Sequence, residues 1–459
     1  MTNPPLNPKN QDLKVPKRIL GTLLHALAAG VVPRMGLEYI AIGRQAEIDA
    51  LVGDLELVEE GGASMRFIVG RYGSGKSFLL QLVRGHCLER GFVCADADLT
   101  PERRFSGTKG QGLATYRELM TNLASRASPE GGALPLILSR WFEQLQTEVV
   151  TVQGLQPNDP KFDTAMREKI YGLTRELEGL VCGFDFAVTL HAYYEAYRSG
   201  NDDRLSAAQK WLRGEFTNRV EARMALGVTT IIDDNNWYDA LKLWARFVRH
   251  IGYGGLIVCI DECVNLYKIP NRISRENNYE KILSMFNDTM QGKASGLGLI
   301  LCGTPQFLED PRRGLYSYEA LKSRLADSRF GATGGFVNLM GPIIRLNRLS
   351  NEEVFALCAR LSKLYAQYYP TAPDITDGQR RDFLQACFSS IGADKLMTPR
   401  EIIRDYLAVS AIMMQNPGLP YEQIVKAAGG GKTSAVADPD EAPLPAASED
   451  DGNPIDIEI

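Results

Sequence analysis

Histidine is scarce in this chain, with 4 among 459 residues, and the four are dispersed along it. A metal cluster built on histidine is therefore not expected. The eight cysteines never form a Cys-x-x-Cys pair, and several of them lie inside apolar runs. We therefore expect buried free thiols, and neither disulfide bonds nor a zinc site.

Long hydrophobic runs are also missing. Nowhere do about 18 apolar residues follow one another, which is the length that a membrane-spanning helix needs. The segment Met1–Asn10 has no apolar run behind a basic start, so we expect no signal peptide and no membrane partner. On these grounds we predict a cytoplasmic protein.

An excess of positive charge is absent as well. The net charge of −5 excludes a protein that holds nucleic acid by bulk charge, although a local basic patch stays compatible with such binding. A hydrophobic content of 44% is ordinary for a globular protein, and the length fits two or three domains.

What the chain does have is a glycine-rich turn between an apolar run and a helical pattern. This segment, Gly70 to Ser77, matches G-x-x-x-x-G-K-[ST] and is called the phosphate loop below. In such a loop the backbone N–H groups surround phosphate oxygens, Lys76 reaches the β- and γ-phosphates, and the Ser77 hydroxyl holds Mg²⁺. We therefore predict a nucleoside-triphosphate site, whose binding residues are Gly70, Gly73, Ser74, Gly75, Lys76, Ser77 and Phe78.

Two acidic residues close a second apolar run. The run Leu256–Ile260 is followed directly by Asp261 and Glu262. In a phosphate-loop ATPase, Asp261 would hold Mg²⁺ through water and Glu262 would be the base that polarises the attacking water. The alternative is an apolar strand that happens to end in two acids, and the upstream phosphate loop disfavours it.

The rest of the pattern predicts an α/β fold, in which a parallel sheet is flanked by helices. Apolar runs predict further strands at 91–96, 297–304 and 342–346. Helical spacing predicts helices at 17–29, after Ile42–Ile48 to about Val58, and across most of 130–250 and 350–427.

We divide the chain accordingly. Residues 17–349 form the predicted nucleotide-binding domain, with a helical insertion at about 130–250. Residues 350–427 form a helical lid domain, called the lid below. A flexible leader at 1–16 and a disordered acidic tail at 428–459 complete the prediction.

Three further features of the sequence each have a predicted role and an alternative interpretation. Thr304 ends a strand where a polar sensor residue is expected, although a hydroxyl at a strand end is often a simple cap. Arg324, with Arg329 as second choice, lies where an arginine finger would reach a neighbouring subunit's γ-phosphate; a solvated helix face is the alternative. The basic, glycine-rich segment 102–112, called the basic loop below, could contact a polyanion or be an ordinary solvated loop.

Several short motifs occur in a fixed order, namely Ile42-Gly43-Arg44, Gly70 to Ser77, Ile260-Asp261-Glu262, Gly303-Thr304-Pro305 and Thr398-Pro399-Arg400. In this order they resemble an AAA+ ATPase of the origin-recognition-like branch. More narrowly, the chain resembles the ATP-binding proteins of BREX phage-defence systems (BrxC/BrxD type), on the segments Tyr72–Lys76, Trp211–Glu215, Gly252–Leu256 and Ser317–Leu321.

The resemblance implies roles for further residues. It implies that Gly43 and Arg44 contact the adenine base of ATP. It also implies that Arg400, in the first turn of a lid helix, is a second sensor arginine, for which a plain surface arginine is the alternative. The arginine finger implies a homo-oligomer.

The resemblance also implies ATP hydrolysis beside a methyltransferase, a helicase or other defence proteins on DNA. Our first hypothesis is therefore an AAA+ motor or loader that acts on DNA or on DNA-bound partners in anti-phage defence. The second is an ATP-gated switch or scaffold protein with slow turnover, which signals through its partners. A small-molecule kinase is a third hypothesis, which Thr304 and Arg400 disfavour.

Overall fold

The computed structural model of the protein describes residues 14–177, 180–326, 338–389 and 398–430. A five-stranded sheet has the strand order β2-β3-β4-β1-β5, with bounds β1 Ser64–Val69, β2 Val93–Asp98, β3 Leu256–Asp261, β4 Leu297–Gly303 and β5 Ile343–Arg345. The pairs β2–β3 and β3–β4 are parallel. The predicted α/β fold class is thereby confirmed.

Helices account for most of the remaining described residues. They are α1 Lys17–Ala28, α2 Gln45–Glu59, α3 Lys76–Glu89, α4 Gln111–Thr121, α5 Leu134–Gln153, α6 Phe162–Leu177, α7 Gly183–Ser199, α8 Asp202–Leu212, α9 Arg219–Leu226, α10 Trp237–His250, α11 Val264–Tyr267, α12 Arg272–Met290, α13 Pro305–Glu309, α14 Glu319–Leu325, α15 Asn351–Tyr368, α16 Asp377–Ser389, α17 Pro399–Gln415 and α18 Tyr421–Gly430. None of the described helices is both long and apolar enough to cross a membrane.

The chain between β2 and β3 is helical from α4 to α10, as the spacing predicts. Gly154 and Gly200 follow the ends of α5 and α7, each with a left-handed φ of 67°, a conformation that glycine adopts without strain. A buried aromatic cluster packs these helices together: the ring of Phe186 in α7 lies 5.3 Å from Trp244 and 5.6 Å from Phe247 in α10. The edge-to-face geometry of both pairs is the favoured one.

The second strand begins later than the sequence predicts. Gly91, with φ of +81°, belongs to the turn after α3, so β2 starts at Val93 and not at residue 91. The strand also ends later, at Asp98 and not at residue 96. Asp98 lies directly beside Asp261 in the parallel register of β2 and β3. Two carboxylates therefore meet at the carboxyl ends of neighbouring strands.

The chain folds into two compact units. The first contains the described residues up to Val52, the segment Ile68–Gly85 and the described residues from 338 onward. The second contains Gly53–Phe67 and the described residues from His86 up to 326. In the first unit, α1 packs against α15 and α17.

Candidate functional site

The phosphate loop, in the first unit, has a backbone that only glycine can follow at several positions. Gly73 and Gly75 have φ values of +74° and +95°, in the left-handed region. A Cβ atom at Gly70 would lie 2.4 Å from the Ser74 hydroxyl oxygen. Helix α3 begins at Lys76, so Lys76, Ser77 and Phe78 form the first turn of this helix.

Two polar groups of the phosphate loop fit a phosphate ligand. The Ser74 hydroxyl is buried and makes no hydrogen bond among the described residues, which is costly for a polar group. The Lys76 ammonium donates to the carbonyls of Gly70 at 2.9 Å and Arg71 at 3.1 Å. Since the first turn of a helix also presents unpaired N–H groups, the residues present suit the phosphates of ATP.

Arg44 supports the phosphate loop directly. Its guanidinium is buried and donates to the Ser74 carbonyl at 3.3 Å and to the Asn347 carbonyl at 2.6 Å. It also pairs with Glu47 at 3.2 Å. Beside it, Gly43 has φ of +73° and no room for a side chain, because a Cβ atom would lie 2.5 Å from a Glu353 carboxylate oxygen.

The role that the structure gives the Arg44 side chain is thus to hold the loop backbone. The contact of Gly43 and Arg44 with adenine stays a prediction.

Arg400 lies in the first turn of α17, as predicted. Thr398 caps this helix in a capping box with Glu401, and Pro399 takes the first helical position. The Arg400 guanidinium donates to the Tyr72 hydroxyl at 3.3 Å and stands 5.6 Å from the centre of the Tyr72 ring. Within the first unit, the structure therefore brings Arg400 to the phosphate loop.

The acidic pair lies in the second unit, at the end of β3. Five buried apolar residues, Leu256–Ile260, lead to Asp261, and the Glu262 amide donates to an Asp261 carboxylate oxygen at 2.8 Å. Glu262 has φ of +57° and, with Cys182, is one of two described non-glycine residues with positive φ. Such a conformation is uncommon for a residue with a side chain and costs free energy.

Neighbouring strands fix this strained turn. The Cys263 amide donates to the Cys302 carbonyl in β4 at 3.0 Å, and the Asn265 side chain donates to the Leu99 carbonyl after β2 at 2.7 Å. Desolvation by the surrounding protein and the neighbouring Asp261 carboxylate raise the pKa of Asp98. Acidic side chains are thus close together at the carboxyl ends of β2 and β3.

Thr304 and Arg324 also lie in the second unit. The Thr304 hydroxyl is buried, caps the short helix α13 and accepts from the Phe307 amide at 3.4 Å. The Arg324 guanidinium is exposed in the last turn of α14 and donates to the Asn287 side chain at 3.0 Å and to the Ala320 carbonyl at 2.7 Å. The sensor and finger roles stay predictions, and Arg329 lies outside the described residues.

Residues 15–428 match the family model of the BREX system ATP-binding protein BrxC/D. The chain belongs to the BrxC/D family. ATP binding and a place in BREX phage defence follow from this membership. No curated protein matches the chain.

In this BrxC/D-family chain, sequence reasoning gives no role to Tyr72, which lies beside Arg400 in the first unit, or to Asp98, which lies beside Asp261 in the second. Asp98 ends an apolar run with acidic residues, which is a signal of the same kind as Asp261 and Glu262. Tyr72 is an aromatic residue inside a phosphate loop, 46% exposed, where small residues usually suffice. Both residues can be singled out in the sequence, but the residues that they contact cannot.

Replacing Lys76 with alanine should reduce ATP affinity by at least about 100-fold, because a charge-assisted contact to two phosphate groups is lost. The measurement is isothermal titration of ATP into each protein. Lys293→Ala, an exposed lysine of the second unit, is the control and should bind ATP like the parent protein. Unchanged ATP affinity in Lys76→Ala would contradict the assignment of the site.

Proposed function

We propose that this BrxC/D-family protein is an AAA+ ATPase that hydrolyses ATP and acts as a motor or loader on DNA or on DNA-bound partners. The observation that carries the proposal is the strained turn at Glu262, which directly follows the buried strand β3. A left-handed glutamate costs about 1–2 kcal/mol, so the surrounding hydrogen bonds must impose it. A turn maintained at that cost supports a chemical role for the Glu262 carboxylate.

In the proposed reaction a water molecule attacks the γ-phosphorus of ATP, and ADP leaves with the electrons of the broken P–O bond. Glu262 orients this water and accepts its proton. Lys76 stabilises the β- and γ-phosphates, and Ser77 and Asp261 would hold Mg²⁺, which neutralises charge on the phosphates. Among the described residues no group of three or more His, Cys, Asp and Glu could hold a metal alone, and Mg²⁺ usually binds with phosphates and water.

The AAA+ assignment draws on two sets of helices. Helices α15 to α18 correspond to the proposed lid, and α5 to α10 to the proposed insertion between β2 and β3. Arg400 in the lid would sense the γ-phosphate, and Thr304 after β4 would do so from the sheet. Arg324 would complete the site of a neighbouring subunit, which requires a homo-oligomer.

DNA contact is proposed at the basic loop, which the second unit holds rigidly. The buried Asn278 side chain accepts from the amides of Phe105 and Ser106 at 2.9 and 3.0 Å. The Phe105 ring stacks on Trp237 with 6.2 Å between ring centres, and the Trp237 indole donates to the Phe105 carbonyl at 3.2 Å. A loop backbone that α10 and α12 fix in this way needs no further ordering to present its cations.

The cations of the basic loop are not all paired. Arg103 pairs with Glu118 at 3.0 Å. The Arg104 Nε is buried and has no acceptor among the described residues, and desolvation lowers the pKa of this guanidinium. Lys109, which is exposed, and Arg104, which is half-buried, are the cations that a phosphate of a nucleic-acid backbone would contact.

A second function, the ATP-gated switch or scaffold, is favoured by a different observation. The Lys76 ammonium is bound to carbonyls of its own loop, and those bonds must break before it reaches a phosphate. Such a loop would bind ATP with a rearrangement and turn over slowly. Turnover that neither DNA nor a partner stimulates would favour this switch over the motor.

Glu262→Gln should preserve ATP affinity within about threefold and lower turnover by at least about 100-fold, because the amide keeps the shape but accepts no proton. Phosphate release at saturating ATP, measured together with binding, checks this. Glu280→Gln, an exposed position on α12, is the control. Turnover within about threefold of the parent protein would mean that another group is the base.

Arg324→Ala should lower turnover by about 10³-fold with little change in ATP affinity, because a finger stabilises only the transition state. Lys322→Ala on the same helix is the control. Mixing Arg324→Ala with Lys76→Ala protein should restore part of the turnover, since each supplies what the other lacks. A specific rate that does not depend on protein concentration, together with a monomer at every ATP concentration, would refute the trans-acting role.

The double substitution Arg104→Ala with Lys109→Ala should weaken DNA binding and reduce the slope of log affinity against log salt by about 2, one for each phosphate contact. Fluorescence anisotropy of labelled single- and double-stranded DNA, with ATP present and over a salt series, measures both. Lys161→Ala with Lys293→Ala removes the same charge from exposed positions elsewhere and should leave the slope unchanged. Equal slopes for all three proteins would exclude the basic loop.

A further inference from the structure

Tyr72 occupies an unusual place for a large aromatic side chain. It lies in the phosphate loop between Arg71 and Gly73, and 46% of it is exposed. Its side chain contacts Arg400, which lies 328 positions later in the chain. The contact has two parts, a hydrogen bond of 3.3 Å from the guanidinium to the phenol oxygen, and the guanidinium 5.6 Å from the ring centre.

The backbone around Arg400 is held by hydrogen bonds that do not involve the contact with Tyr72. Thr398 accepts from the Glu401 amide at 3.3 Å, and the Glu401 carboxylate accepts from the Thr398 amide at 2.7 Å. The Thr398 methyl group also sits on the phosphate loop, because a Cβ atom at Gly73 would lie 2.4 Å from it. The start of α17 therefore contacts the loop at two adjacent residues, Tyr72 and Gly73.

The geometry leaves most of the Arg400 guanidinium available. An arginine carries five N–H donors and is always charged. The hydrogen bond to Tyr72 uses one nitrogen, and no other acceptor lies within hydrogen-bond distance of this guanidinium among the residues that the structure describes. An aromatic ring attracts the face of a guanidinium, whereas phosphate oxygens bind its edge, so both contacts can exist together.

We propose that Tyr72 is a positioning residue, which holds Arg400 beside the phosphate loop so that the guanidinium meets the terminal phosphate of a nucleoside triphosphate. The inference rests on the proposed sensor role of Arg400. Arginine has many rotamers, and a side chain that is ordered before binding loses less entropy when the ligand arrives. Because only a triphosphate carries the γ-phosphate, Tyr72 raises the affinity for triphosphate and leaves the affinity for diphosphate unchanged.

The test is a double-mutant cycle on the full chain. Tyr72→Ala, Tyr72→Phe, Arg400→Ala and the double variant Tyr72→Ala with Arg400→Ala are titrated with ADP and with a slowly hydrolysed thio analogue of ATP. Tyr72→Ala should bind the analogue about 2- to 5-fold more weakly, the range of an exposed cation–π contact, and bind ADP normally. Tyr72→Phe keeps the ring and should lose less than Tyr72→Ala.

The decisive result is non-additivity. In the Arg400→Ala background, Tyr72→Ala should have no further effect on the affinity for the analogue. Tyr197→Ala, which removes a similarly exposed tyrosine at 54%, is the control and should change neither affinity. Normal ADP binding shows that each variant has folded with an intact phosphate loop.

Three outcomes would overturn the inference. Additive effects would separate Tyr72 from Arg400, and equal losses for ADP and the analogue would mean that Tyr72 only shapes the loop. Tighter binding of the analogue by Tyr72→Ala would make the contact a latch that nucleotide has to open. Each outcome is distinct from failure of the proposed ATPase function, which Lys76→Ala and Glu262→Gln test independently.

Discussion

The lack of space around the phosphate loop is the constraint on which the first unit depends. A side chain at Gly70 would collide with Ser74, and one at Gly73 would collide with Thr398. The Arg44 guanidinium donates a hydrogen bond to the Ser74 carbonyl and so satisfies this backbone acceptor. Close packing therefore fixes the loop backbone, although not the Lys76 side chain, before any ligand binds, and this would lower the entropic cost of binding a phosphate there.

The second unit holds its acidic residues in place by a different physical means. Parallel register places Asp98 and Asp261 side by side, and hydrogen bonds from β4 and from the end of β2 hold the turn that follows. Two neighbouring carboxylates repel each other, and Glu262 adds a strained backbone to that repulsion. The apolar burial of β3 offsets these local costs, so a stable strand maintains an unstable end.

Local patterns were enough to predict the fold class, the glycine-rich turn before α3 and the strand that ends at Asp261, because each depends on residues close together in sequence. The predicted start of β2 was two residues too early. Gly91 precedes the apolar run without a break, but its left-handed φ places it in the turn before the strand. The bond from Arg44 to Asn347 spans 303 positions, and no periodicity encodes such a pair. The left-handed Glu262 had no signal either, because glutamate rarely adopts that conformation.

The division of the chain has a practical consequence for anyone who dissects this protein genetically. Helices α2 and α3 and strand β1 each start in one unit and finish in the other. No single uninterrupted stretch of codons therefore encodes either unit, and deletion of one would leave cut secondary-structure elements with exposed apolar faces. Roles in this molecule have to be separated residue by residue, because no truncation removes one unit completely and leaves the other intact.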